Sequence, residues 1–431
     1  MSQEDALDVI VVGAGLAGLA CAHRAASAGL QVAVLERGDV AGAKNVSGGR
    51  LYLEPLGEPC GDLLRDAPFE RPVVSESVVL TADDGSVSFR LDRGAAADRP
   101  RSVTVLRARL DQHLAERVAA AGALVLCQQR VDSLLRAGGQ VIGVKVGSEE
   151  LHARMVVAAD GALSFLAQEA NLRRQRLPRC YAVGLKEVIR LAPAAIEARF
   201  NLQPGQGASR LYLGQVTRGL PGGGFLYTNQ DSLSLGLVVS CAALQRWGSE
   251  AMLWELLERF KERPEVAPLI AGGATVEYGA HLVPEGGFAE LPPLGVPGLL
   301  LAGDAAGLVL NTGTMVRGMD LALCSGALAG QSIVEAFAAG LGPAGCLERY
   351  RRKLTESFVV AQLRAHRQAP AVLALPRLYT SYPQAVVEGA RELFQVDPSG
   401  QTRSLRQVCA RLRKRVPGWR ALHDLWRLAR M

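Results

Sequence analysis

Short apolar runs that stop at glycine or an acidic residue punctuate this chain, and the first of them sets the pattern. Residues 9–12 (V-I-V-V) lead into Gly13, Gly15 and Gly18, an Ala-rich stretch follows, and a second run at 32–35 stops at Glu36. Runs of that length bounded by turn residues predict buried strands, and the longer segment between them predicts a helix. Residues 73–91 alternate apolar and polar positions around a D-D-G turn, which predicts a hairpin. A strand and an amphipathic helix are predicted over 103–118, strands at 125–131 and 141–146 about a G-G turn, and another at 152–159. Further strands are expected at 182–189, 220–228 and 232–241, an amphipathic helix at 244–260, and a strand running into Gly303. From 324 to 365 the pattern is mostly helical, and a Pro-punctuated apolar stretch covers 369–379. In the tail, Leu405, Val408, Leu412, Val416, Trp419, Leu422 and Trp426 recur at spacings of three or four, and Pro417-Gly418 divides two predicted helices.

Charge changes the picture only at the tail. Nine of the 48 Lys and Arg fall in residues 403–431 against one of the 42 Asp and Glu, leaving 39 basic and 41 acidic residues elsewhere. The body is therefore near neutral, which argues against a nucleic-acid binder. A basic amphipathic helix with tryptophan on its apolar face suits an anionic membrane surface or an acidic partner, or it caps the body; the sequence leaves these open. The eight cysteines are scattered singly with no C-x-x-C pair, so no zinc or iron–sulfur ligand pattern is present. The first residues, M-S-Q-E-D-A-L-D, are polar and acidic, so no signal peptide is expected, and no stretch reaches an uninterrupted membrane span. The expected location is cytoplasmic, with the inner face of the cell membrane as a peripheral site.

The chemistry is concentrated at strand ends. The order strand, G-x-G-x-x-G, helix, strand, Glu36 is the fingerprint of a dinucleotide site. In it Gly13 permits the turn, Gly15 lets backbone approach a pyrophosphate, Gly18 lets helix and strand pack closely, and Glu36 accepts from ribose hydroxyls. The helix N-terminus adds free N–H groups for phosphate. The Gly-rich segment 41–52 follows, with Lys44, Asn45, Ser47 and Gly48 as candidate contacts. Arg107 stands at a strand-to-helix junction, where it either reaches a phosphate or ribose or is simply solvated. Asp160-Gly161 and Gly303-Asp304 end two later strands; a carboxylate there can bind a ribityl hydroxyl, and a helix end can stabilise charge near a flavin ring edge. The three motifs in this order point to an FAD enzyme. His113, His281 and His366 are isolated and expected to be structural. No nucleophilic triad, paired carboxylate or metal set stands out.

Through these motifs the chain resembles the electron transfer flavoprotein–quinone oxidoreductase family, and within it the short bacterial FixC-type branch. The resemblance rests on V-V-G-A-G-L-A-G-L, K-N-V-S-G-G-R-L-Y, V-L-R-A-R-L-D, G-G-G-F-L-Y-T, P-L-I-A-G-G, L-V-P-E-G-G, A-G-D-A-A-G and V-R-G-M-D-L-A, spread over nearly the whole chain. It implies FAD as cofactor, electrons arriving from electron transfer flavoprotein subunits, and a membrane quinone as acceptor. It also implies a separate ferredoxin-like iron–sulfur protein, as in FixABCX-type complexes. Gly222 and Gly223 fall on the family's G-G pair, which gives backbone contacts to quinone carbonyls. The expected FAD contacts are Gly13, Ala14, Gly15, Gly18, Glu36, Arg37, Lys44, Asn45, Ser47, Gly48, Arg107, Val131, Asp160, Gly161, Gly303, Asp304, Gly313 and Val316. Longer family members end in a four-cysteine cluster domain, and those cysteines are missing here. The arginine that related flavin hydroxylases carry soon after the D-G motif is also missing: F-L-A-Q-E follows Ser164.

The expected architecture is α/β: a Rossmann-type, glutathione-reductase-like FAD-binding domain from 1–173 and 294–340, an inserted antiparallel-sheet substrate domain at 174–293, and a helical C-terminal region at 341–431. The expected activity is an FAD-dependent oxidoreductase passing electrons to a quinone or ferredoxin-like acceptor. Two rivals share the fold: a geranylgeranyl-reductase-like enzyme acting on a prenyl lipid, and a non-catalytic flavin-bearing docking subunit.

Overall fold

A computed structural model describes residues 6–45, 48–93, 100–173, 177–248, 253–415 and 418–431. Strand β1 (Leu7–Val12) feeds helix α1 (Leu16–Ala26), and β2 (Val32–Leu35) follows. Next come β3 (Gly49–Tyr52), the hairpin β4 (Val73–Ala82) and β5 (Gly85–Asp92), β6 (Ser102–Val105) and α2 (Arg107–Ala120). Four strands then lie close in sequence: β7 (Leu124–Leu126), β8 (Ser133–Ala137), β9 (Gln140–Val146) and β10 (Glu149–Ala158), with the short α3 (Phe165–Glu169) after them. The central strands are β11 (Tyr181–Arg190), β12 (Gly207–Gly214), β13 (Gly222–Thr228), β14 (Ser232–Ser240) and, beyond α4 (Leu253–Glu262), β15 (Ala274–Pro284). The chain ends with β16 (Gly295–Val296), β17 (Leu299–Leu301) and the helices α5 (Met319–Ala338), α6 (Pro343–Glu356), α7 (Phe358–Ala365), α8 (Ala369–Leu373), α9 (Ser381–Phe394), α10 (Leu405–Arg415) and α11 (Gly418–Ala429).

The first sheet runs β16-β17-β10-β1-β2-β7, and β9 extends it antiparallel from the start of β10, with β8 beyond. Its central pairs are parallel and nearly in step: Val12 lies opposite both Leu35 and Ala158, and Ala158 lies opposite Leu301. Four strands that end together bring four separate sequence segments to one edge. Their ends are buried on both faces, as a parallel sheet covered by helices requires. On one face α1 and α5 approach so closely that only glycine fits between them. A Cβ on Gly326 would lie 1.9 Å from the Ala17 carbonyl oxygen, and one on Gly330 would lie 2.5 Å from that of Cys21. Helix α5 is, among the described residues, the one helix long and apolar enough to cross a membrane, and it is packed inside this fold.

The second sheet runs β15-β11-β14-β13-β12-β4-β5, antiparallel except for β12 with β4. It has its own apolar core, in which Tyr212, Phe200 and Phe260 are fully buried. The hairpin β4–β5, which a linear division assigns to the first part of the FAD domain, joins this sheet instead: β4 pairs with β12, more than 100 residues later, and β5 forms the edge. Two smaller corrections concern local elements. The strand expected at 125–131 is only Leu124–Leu126, and the G-G hairpin uses Ser133–Ala137, because β7 pairs with β2 instead. The single helix expected at 244–260 is described as two helices, Cys241–Trp247 and α4.

Candidate functional site

The common edge of β1, β2, β10 and β17 forms one side of a cavity of about 970 Å3. Open α/β sheets bind ligands at such carboxyl-end crevices. The three glycines of the first turn have different tasks. Gly13 has φ +103°, and a Cβ there would lie 2.4 Å from the Ala159 carbonyl oxygen. A Cβ on Gly18 would lie 2.0 Å from the Gly13 carbonyl oxygen, so this glycine seats α1 on β1. Gly15 alone faces open space, where its nearest neighbour would be the Arg107 guanidinium at 3.8 Å. Buried Glu36 ties the turn to β2, accepting from the Ala14 N–H at 2.9 Å and the Gly38 N–H at 2.7 Å.

Arg107 is fixed over this turn. Its Nε and Nη2 donate to the two oxygens of Asp111, both at 2.8 Å, and the Asn45 amide donates to the same buried carboxylate. One guanidinium thus stays aimed at the cavity beside Gly15, which answers whether Arg107 is a plain solvated charge. Burial raises the pKa of Asp304, while Arg107 and Arg173 oppose the rise. Arg173 was not singled out from the sequence. It donates to the carbonyls of Ala162 and Asp304 and to the Tyr181 hydroxyl, pinning the D-G turn, the G-D turn and the second sheet together. No local pattern marks such a residue, because its partners lie in distant segments.

Of the expected FAD contacts, Gly13, Gly15, Glu36, Arg37, Lys44, Asn45, Gly48, Arg107, Val131, Asp160, Gly161, Asp304, Gly313 and Val316 line the cavity. Ala14, Gly18 and Gly303 do not. Ala14 is buried against Glu36, and Gly303 packs on Ala17 with its N–H given to the Ser325 hydroxyl. Asp160 lines the wall, but its carboxylate accepts from the Ser164 hydroxyl and the Leu166 N–H, capping α3. Ser47 lies outside the described residues.

The opposite wall is the second sheet, and strand register decides which residues face in. Lys186 on β11 lies opposite Gly236 on β14 and Gly279 on β15, while Phe225 on β13 lies opposite Gly236. Phe225 stacks on Tyr227 with ring centres 5.2 Å apart. Gly222 and Gly223 also line this wall, but a Cβ on either would strike backbone: the Val238 carbonyl oxygen at 2.2 Å for Gly222, that of Tyr212 at 2.7 Å for Gly223. His281 and His366, both expected to be structural, stand on the cavity wall. The His281 pKa is lowered, first by burial and then by Arg107 and Lys186. Leu213, Leu363, Pro370, Leu373 and Tyr379 give the cavity a largely apolar part near Gly222, where Glu285, its pKa raised by burial, acts on Tyr379.

A backbone cradle open at Gly15, a carboxylate at the end of β2, an arginine over the turn and a second wall with stacked aromatics fit FAD, a group that brings its own redox chemistry. Residues 8–82 match the family described as FAD dependent oxidoreductase, and residues 369–431 match the ETF-QO/FixC family C-terminal domain. The chain is 42% identical over 396 residues to the probable electron transfer flavoprotein-quinone oxidoreductase YdiS of Escherichia coli (strain K12), covering 91% of this chain and 92% of that protein. It is 42% identical over 397 residues to Protein FixC of the same strain, covering 92% of each. A solved geranylgeranyl bacteriochlorophyll reductase-like protein from Thermoplasma acidophilum shares the fold, with a TM-score of 0.71 at 22% identity over 98% of this chain and 99% of that one. The chondrochloren halogenase CndH of a myxobacterium shares it with a TM-score of 0.65 at 19% identity over 95% and 97%. This chain belongs to the FixC and electron transfer flavoprotein–quinone oxidoreductase family of FAD-dependent oxidoreductases.

Proposed function

We propose that the enzyme takes electrons from electron transfer flavoprotein subunits and delivers them to a quinone held at the apolar end of the cavity. The observation that carries this reading is the continuity of one cavity from the glycine turn at Gly13 and Gly15 to the apolar walls at Leu213, Gly223 and Leu373. The name of the relative YdiS supports the choice of donor and acceptor. In this reading Gly13, Gly15 and Arg107 hold the pyrophosphate, Glu36 holds the adenosine ribose and Asp304 holds the ribityl chain. Gly48 and the inward face of the second sheet hold the ring system. FAD supplies a carrier that accepts and donates electrons; the chain's own residues orient it and exclude water. Gly222 and Gly223 offer backbone to the quinone carbonyls.

The tail supports a peripheral position on the cytoplasmic face of the membrane. Helix α11 packs on α8, which lines the apolar end, and turns Trp419, Leu422, Leu425 and Trp426 outward while Asp424 is buried. An amphipathic helix of this kind, preceded by the basic helix α10, suits an anionic bilayer surface. A quinone would then enter the slot directly from lipid. A ferredoxin-like iron–sulfur protein completes the proposed partners.

The test is anaerobic stopped-flow absorbance: flavin reduced with dithionite, then mixed with a soluble quinone analogue. Leu213→Trp is the better blocking variant, because substituting Gly222 or Gly223 drives a side chain into neighbouring strands. Rapid reoxidation in the parent, slowed at least about tenfold in Leu213→Trp, supports the reading; a tenfold change is about 1.4 kcal/mol of barrier. Flavin that stays reduced in the parent sinks quinone reduction by this chain and turns attention to a prenyl lipid substrate.

A further inference from the structure

Lys186 is the only lysine on the second-sheet wall among the described cavity residues, and glycines stand opposite it on both neighbouring strands. Both of its cross-strand partners, Gly236 and Gly279, lack side chains. Where Gly236 would carry a Cβ, the Phe225 ring intrudes at 2.4 Å, and the Lys186 ammonium lies 5.5 Å from the centre of that ring. The side chain crosses the seam between the two sheets and donates to the Gly48 carbonyl, in the segment that follows Glu36. Two charged groups act on it, Arg107 from α2 and Glu277 from β15, and Lys186 in turn acts on His281 of β15; the paired strand β14 carries no titratable side chain. His281 also feels Arg37, from beyond β2.

These groups act on Lys186 in opposite directions. Arg107 is ion-paired with Asp111, and His281, whose pKa is lowered from the ordinary imidazole value, is neutral above pH 7. Loss of water and the Arg107 charge lower the Lys186 pKa to about 7, against the pull of Glu277. Such a lysine changes protonation state readily when a negative charge arrives beside it.

We propose that Lys186 couples electron arrival to proton uptake, binding one proton at Nζ when the flavin is reduced and releasing it when the electrons leave. The inference rests on the reading that the flavin ring lies against the second sheet. With FAD bound, the donor flavoprotein would supply two electrons, and two protons would be taken from water, one by the flavin and one by the Lys186 amine. Delivery to a quinone consumes the same two electrons and two protons, forming both O–H bonds of the quinol, so the balance closes without another reactant.

The experiment is the flavin midpoint potential measured by anaerobic spectroelectrochemistry across pH 7 to 9 in the parent, Lys186→Met and Lys186→Arg. The parent should take up two protons per two electrons above neutrality, a slope of about 59 mV per pH unit, and Lys186→Met one proton, about 30 mV per unit. Lys186→Arg carries a fixed charge, so it should show the one-proton slope at a higher potential than Lys186→Met. A two-proton slope retained in Lys186→Met overturns the proposal. If that variant fails to hold FAD, a two-proton slope in Lys186→Arg does the same. Loss of the second proton in His281→Gln, with both lysine variants unchanged, would also overturn it by moving the role to His281. No acceptor is present in these titrations. A parent that shows the slope but never reduces quinone keeps this proposal and loses the quinone reading.

Discussion

The Glu36 carboxylate accepts from the Ala14 N–H at 2.9 Å, so the acidic residue that ends β2 also holds the glycine turn that ends β1. Its second oxygen accepts from Gly38. Glu36→Ala would strand two N–H groups in a buried place, at about 1–3 kcal/mol each. We expect lower thermal stability and weaker FAD binding, with Glu36→Gln between parent and alanine variant because an amide oxygen can still accept. Differential scanning fluorimetry and flavin release by ultrafiltration measure both. Unchanged FAD affinity in Glu36→Ala would remove this carboxylate from the binding site.

Gly326→Ala sets two effects against each other. Alanine is favoured over glycine inside a helix by about 1 kcal/mol. Against that, its methyl would sit 1.9 Å from the Ala17 carbonyl oxygen, in backbone that cannot swing away. Overpacking of this kind costs about 1–3 kcal/mol and can exceed it. The expected outcome is a lower melting temperature together with partial loss of flavin, since α1 carries the glycine turn. A raised melting temperature would show that α1 and α5 stand further apart than described.

Asp424 holds α11 to the body through pH. Arg377 donates to both of its oxygens, at 2.8 and 3.0 Å, and the Tyr382 hydroxyl donates to it as well. These bonds, those of Arg377 foremost, lower its pKa to about 2. An unfolded aspartate titrates near pH 4, by the usual value of about 3.9. The stabilisation is therefore complete above about pH 4 and is lost as pH falls towards about 2. Hydrogen exchange should show residues 418–429 losing protection in Asp424→Asn at neutral pH, with no further loss on acidification in that variant. Equal protection in parent and variant at neutral pH would count against the anchor.

The outward face of α11 gives a separate test. Trp419 is 68% exposed and Trp426 56%. The parent should co-sediment with vesicles containing anionic lipid and less so with neutral ones. Replacing both tryptophans with glutamate should abolish this while FAD content stays unchanged. Vesicle binding that survives the double substitution would place the contact elsewhere.

Local chemistry carried much of this protein in its sequence. Apolar period, turn residues and the spacing to Glu36 depend on neighbours within a few turns of chain, so β1, α1, β2 and the motif-bearing ends of β10 and β17 were legible. So was the division of the tail into two helices, although Val416 and Pro417 lie outside the described residues. Which residues face the cavity was not legible, because that depends on pairing between distant strands. Lys186 alternates with buried Leu185 and Glu187, and that alternation alone allows either face; the docking of the second sheet on the first chose the inward one, and it also set His281 on the cavity wall. The same long-range pairing drew β4 and β5 out of the first sheet and into the second. It also separated glycines that look alike: Gly15 opens on the cavity, whereas Gly18 and Gly303 are filled by close backbone and helix packing. A sequence states which backbone conformations are permitted, and only the assembled sheets decide which permitted surface a ligand meets.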